Sequence, residues 1–220
     1  MTHDADNNAL GFAAHPAFSR PYVPHTSGPE VQLLQPETEL ERRMLMHPAF
    51  LEGLHWGVPR FGHPEGKVLY HIREVLDNID RLLLTAHTRR QLRIITFAHD
   101  TFKYKEDKGT PRDWTKHHGI YARKFLEDIE VSSKEVLEVT EWHDEAYFCW
   151  RMIHLFKQTE EGHARLQQLL HRIAGFDQLF YLFFKCDTQT GDKNQAPLRW
   201  FEQNVPGIEV VVLPSRRSLI

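Results

Sequence analysis

Residues 65–86 read EGKVLYHIREVLDNIDRLLLTA, and this stretch decides the fold. Val68, His71, Ile72, Val75, Leu76, Ile79, Leu82 and Leu83 recur at the i, i+3, i+4, i+7 spacing of one helix face. One long helix over residues 65–86 follows, buried along that stripe. His71 lies on the stripe, where an imidazole is either a hydrogen-bonded core residue or a ligand.

The same periodicity extends to both sides. Upstream, a helix is expected from Glu39 towards Leu54, followed by a loop punctuated by Gly57, Pro59, Gly62 and Pro64. Residues 1–38 are rich in His, Pro, Asn and Gly without a sustained period, and read as an irregular extension. Downstream, a helix from Thr88 to Asp100 carries Leu92, Ile95, Phe97 and His99. Residues 101–112 form a charged loop, and Asp113 is placed to cap a helix bearing His117 and His118. Ser132 or Ser133 caps the next, which runs to His143. Further helices are expected through Phe156, from His163 to Ala174, and from Asp177 to Cys186. Residues 207–213 are β-prone but lack a partner strand, so they read as an edge or an extended packing segment. No internal repeat is evident. The expectation is an all-α fold: a compact multi-helix bundle over residues 39–204, the irregular extension before it, and a short extended tail over 205–220.

Composition narrows the function. The net charge of -3, with acids and bases interspersed, gives no strong nucleic-acid signal. Two cysteines, Cys149 and Cys186, sit in apolar surroundings and read as reduced, buried thiols rather than a disulfide framework. The N-terminus carries Asp4 and Asp6 with no apolar core of a secretory signal, and no run is long enough to span a bilayer. A soluble cytoplasmic protein without a membrane partner is expected. The 15 histidines are many for 220 residues and raise the expectation of a metal site.

Six positions stand out in order: His71, His99-Asp100, His117 or His118, His143 and Asp187. Neighbouring helix residues point about 100° apart, so His99 and Asp100 rarely share a target. A metal ion is a target that both can reach. Asp187 ends the run of residues 180–186, FYLFFKC, where a carboxylate needs a partner or a cation.

This order resembles that of the HD-domain superfamily of metal-dependent phosphohydrolases, over roughly residues 60–190. His71, inside residues 70–76 (YHIREVL), stands at the family's first histidine; His99-Asp100 matches its doublet, and Asp187 its closing acid. The segment His63-Pro64-Glu65-Gly66-Lys67-Val68 is similar to the start of the HD region of bacterial tRNA nucleotidyltransferases. The resemblance implies an HD-type helical bundle. It also implies one or two divalent metal ions (Mn, Fe, Co, Ni, Zn or Mg), held by His71, His99, Asp100 and Asp187. Binuclear members add two histidines, for which His118 and His143 are available, with His117 as the alternative to His118.

Such a site activates a water for attack on a small phosphorylated substrate, a nucleotide among the candidates. Asp100, Lys103 and Asp144 are the candidate catalytic residues, and Lys103, Arg123 and Lys193 could meet the phosphate. Phe102 stands where the family has a small glycine, and could narrow the pocket or stack on a substrate ring. The alternative function is a non-catalytic nucleotide- or RNA-binding sensor built on the same core.

Overall fold

The computed structural model describes residues 28–214. Residues 1–27 of the expected extension and 215–220 of the tail lie outside the described residues. Among the described residues every regular element is helical. The helices are α1 (Pro29–Leu34), α2 (Glu39–Leu45), α3 (Pro48–Leu54), α4 (Val68–Ile79), α5 (Ala86–Ala98), α6 (His118–Asp128), α7 (Lys134–Trp142), α8 (Glu145–His154), α9 (Thr159–Arg172), α10 (Asp177–Thr188) and α11 (Ala196–Asn204). None is long and apolar enough to cross a membrane.

The stripe that opened the sequence reading is buried as expected at Val68, His71, Ile72, Val75, Leu76 and Ile79. The helix is shorter than its periodicity suggested. Gly66 adopts a positive φ of 77° and Lys67 is extended, so α4 starts at Val68. After Ile79 the chain turns, Leu83 points into solvent, and Thr85 caps α5 by accepting from the Thr88 amide at 3.1 Å. The single helix expected over Glu39–Leu54 is two helices. Pro48 forces His47 into the extended region and begins α3 at its first turn. A capping box starts α2: Glu41 N donates to Thr38 Oγ1 at 3.2 Å, and Thr38 N to Glu41 Oε2 at 3.4 Å. At the end of the expected irregular extension, Pro29–Leu34 are helical and pack on α4.

Helix α10 lies at the centre, packed on α4, α5 and α7, with Leu179 to Cys186 all buried. It continues to Thr188, so Asp187 belongs to its last turn. Asn78 of α4 fixes that turn by donating to Cys186 O at 2.8 Å and Gln189 O at 2.9 Å. Helix α11 was not foreseen from the sequence; Lys185 and Tyr181 hold it to α10 through Glu202, at 2.6 and 2.7 Å. The tail is an extended packing segment: Gln178 pairs with the Glu209 backbone, and Val211 N donates to Tyr181 Oη at 3.1 Å. Both cysteines are free and buried.

One close approach fixes the backbone beside the doublet. A Cβ on Gly53 of α3 would lie 1.7 Å from the carbonyl oxygen of Thr101. Gly53→Ala should therefore destabilise the protein by about 1–3 kcal/mol, since overpacking must displace backbone rather than a side chain. Urea denaturation measures it, and an unchanged midpoint would show that α3 shifts freely.

Candidate metal centre

Two helices end at the centre in the same way. His99 follows α5, and its Nδ1 donates to the free carbonyl of Thr96 at 2.9 Å. His143 follows α7, and its Nδ1 donates to Thr140 O at 2.9 Å. Each is followed by an aspartate. Residues 96–100 read TFAHD and residues 140–144 read TEWHD, so a five-residue pattern does recur, on two helices that pack together. The shared Thr-x-x-His-Asp spacing is its signal in the sequence.

The first half of the centre joins α4, α5 and α10. His71 Nε2 lies 2.8 Å from Asp187 Oδ1, 3.3 Å from His99 Nε2 and 3.6 Å from Asp100 Oδ2. His99 Nε2 lies 3.5 Å from Asp100 Oδ2 and 3.7 Å from Asp187 Oδ1. The second half joins α6 and α7 to the same aspartate. Asp100 Oδ1 lies 3.3 Å from His118 Nε2 and 3.4 Å from His143 Nε2, which are 3.1 Å apart. Asp144 Oδ2 is 3.5 and 3.7 Å from those nitrogens. Asp100 thus turns one carboxylate oxygen to each half.

Hydrogen bonds on the far side of each ring fix which nitrogen faces the centre. Nδ1 of His118 donates to Glu106 Oε2 at 3.1 Å, so its Nε2 lone pair points inward. Thr190 Oγ1 donates to Asp187 O at 2.7 Å, and its lone pair is left to accept from His71 Nδ1 at 3.4 Å. His117 is the reverse. It caps α6, its Nδ1 accepting from the Gly119 amide at 3.1 Å, so the proton of the neutral ring is on Nε2. That Nε2 lies 3.4 Å from Asp144 Oδ2 without a hydrogen bond to it, and it carries the ring's proton rather than a free lone pair. Asp113, expected to cap this helix, instead caps a 3-10 turn over Trp114–Lys116.

Four imidazole Nε2 atoms and three carboxylates therefore converge on one small volume. Asp100 Oδ1 is buried and accepts no hydrogen bond. An oxygen in that position is costly unless a cation meets it. Ligand atoms about 2.1 Å from one ion are about 3.0–3.4 Å apart on octahedral or tetrahedral edges, close to the separations in each half.

Burial alone would push Asp100, Asp144 and Asp187 up. The imidazoles and the ammonium groups of Lys103 and Lys193 outweigh it and hold all three well below the ordinary carboxylate range. Burial pushes His99 down to about 4, so it is neutral. Glu106 is raised by burial but lowered further by His118, His117 and Arg112, to about 2. Burial also opposes charge on His71, yet Asp187 and Glu65 raise its pKa, so a proton stabilises this group where a cation could.

A cavity of about 240 Å³ opens over Asp100, Asp144 and Asp187. Lys103 and Lys193 line it, 2.5 Å from Asp100 Oδ2 and 2.9 Å from Asp187 Oδ1. Arg123 is not brought there; its guanidinium pairs with Glu127, Glu138 and Glu141, which removes it from the phosphate candidates. Phe102 does not line the cavity either. It is buried against Phe125, with ring centroids 5.1 Å apart. Glu106, which orients His118, lay in a segment read as a loop, and Glu65, which orients His71, at the start of the expected long helix, where the chain is in fact a turn. No family model matches the chain, and neither a curated protein nor a solved structure matches it.

Proposed function

We propose that this protein is a metal-dependent phosphohydrolase that cleaves a small phosphate ester, nucleotides included. The observation that carries the reading is Asp100, a buried carboxylate divided between two sets of imidazole nitrogens, with one oxygen left unpartnered. His71, His99, Asp100 and Asp187 would hold one divalent ion, and Asp100, His118 and His143 a second. Ions so held supply a water of lowered pKa and a Lewis acid for the phosphoryl oxygens. The order of these residues, similar to that of HD-domain phosphohydrolases, supports the same reading.

The chain's own groups complete the chemistry. Lys103 and Lys193 present ammonium groups to the cavity, where they offset charge on a phosphoryl group. Asp144 is the most exposed of the three carboxylates and lines the same cavity, so it can orient a water and accept its proton. Glu65 and Glu106 orient the imidazoles of His71 and His118.

Metal analysis and hydrolysis test this together. Protein loaded with Mn should carry two ions per chain and cleave phosphate esters, and EDTA should abolish the cleavage. His118→Ala should lower the count from two to one, whereas His117→Ala should retain two and lose about 1 kcal/mol of stability with its cap. A protein that binds no divalent ion and cleaves no phosphate ester after loading refutes the proposal. Nucleotide binding without turnover would instead favour a sensor.

A further inference from the structure

The cavity over the carboxylates has a second chemical character at its rim. Phe61 and Tyr147 line it together with Asp100, Asp187 and the two lysines. Phe61 is 84% exposed and Tyr147 38%. Single exposed apolar residues are ordinary on a protein surface. Phe61 is distinguished by how firmly it is presented.

It stands at the tip of a two-residue turn. Arg60 N donates to His63 O at 3.1 Å, and His63 N to Arg60 O at 2.8 Å. Gly62 supplies the positive φ, 81°, that such a turn requires. Its amide is tied to Asp192 Oδ1 at 2.7 Å, in the loop that also carries Lys193. Phe61 makes no ring contact among the described residues, so a fixed turn holds an unpaired aromatic ring at the cavity mouth.

Tyr147 comes from another element. It lies one helical turn beyond Asp144, on α8. The Trp150 ring is stacked on it at 6.3 Å and the Arg151 guanidinium lies 5.5 Å from its centroid, which fixes its orientation. The cavity thus has charged groups of both signs at its floor, three carboxylates with Lys103 and Lys193, and aromatic rings at its rim. A volume of about 240 Å³ suits one small molecule rather than a strand.

We infer that Phe61 and Tyr147 determine specificity, selecting a phosphate ester that carries a planar ring. The ring packs against the two side chains while the phosphate meets Lys103 and Lys193. This inference rests on the phosphohydrolase reading for its catalytic readout only. Preorganised rings lose little freedom on binding, so the selection appears chiefly in KM.

The test compares adenosine 5′-monophosphate with glycerol 3-phosphate on metal-loaded protein. The wild type should favour the nucleotide by about tenfold or more in kcat/KM, the range that ring stacking supplies. Phe61→Ala and Tyr147→Leu should each lower that preference about fivefold or more, and Phe61→Trp should keep it. A wild type without preference, or a preference that both variants retain, overturns the inference while leaving the hydrolase intact. If neither ester is cleaved, the hydrolase reading fails, and calorimetric titration of adenosine 5′-monophosphate reads the ring contact directly. Binding that Phe61→Ala weakens then supports the inference; no binding, or binding that it leaves unchanged, overturns it.

Discussion

Asp100→Ala should remove both metal ions at once and lower phosphate-ester hydrolysis by about 10³-fold, a loss of about 4 kcal/mol in transition-state stabilisation. The reason is geometric. Asp100 Oδ2 lies 3.6 Å from His71 Nε2 and 3.5 Å from His99 Nε2, and Oδ1 lies 3.3 and 3.4 Å from His118 and His143. No other carboxylate is placed within 4 Å of both pairs by the contacts described above. His71→Ala and His143→Ala should therefore each remove one ion and leave the other. Elemental analysis of the three variants separates these outcomes. An Asp100→Ala protein that still carries two ions would show that the halves do not depend on a shared ligand. Asp100→Asn, of the same shape, guards against a simple failure to fold.

Arg93→Met should destabilise the protein by about 3–5 kcal/mol, a large part of the stability of an ordinary domain. Arg93 of α5 is 2% exposed and reaches Glu41 of α2, which is fully buried. Its Nε and Nη2 donate to the two Glu41 oxygens, both at 3.0 Å, and Nη2 also meets Gln35 O at 2.9 Å. Without the guanidinium, Glu41 keeps only the backbone amides of Glu37 and Thr38, at 2.5 and 3.4 Å. The penalty is the uncompensated buried charge rather than the worth of the pair. Adding Glu41→Leu should therefore restore most of the loss, leaving about 1 kcal/mol for the missing capping box. Urea denaturation of the two single variants and the double variant measures this. Additive losses would show that the pair is not coupled.

The sequence carried the fold wherever burial imposed a period. The apolar stripe of α4, the run before His99 and the run before Asp187 all name their helices and place a polar group at a helix face or end. It carried less where one residue overrides the period. Pro48 divides a periodic stretch into α2 and α3, and Leu83 continues the spacing of α4 after the helix has ended. At the centre, periodicity placed His71 inward and favoured His118 over His117 only by a narrow margin. That choice depends on a cap, because the residue that accepts the Gly119 amide loses its inward lone pair. Arg123 was legible as a cation but not as one already paired, since Glu138 and Glu141 come from a different helix. Phe61 left no periodic trace because a two-residue turn has none.

The endings of α5, α7 and α10 have a consequence beyond the side chains they carry. All three helices deliver their last turn to the same small volume, through His99, His143 and Asp187. A helix terminus of this kind bears roughly half a negative charge from its unpaired carbonyls. The first turns of α6, at His118, and of α8, after Asp144, bring the opposite partial charge to the same volume. Helix ends of both signs therefore meet there, C-terminal ends beside His99, His143 and Asp187 and N-terminal ends beside His118 and Asp144. The backbone fields offset one another, and the balance between cation and anion is left to the three carboxylates, the two lysines and any bound ions.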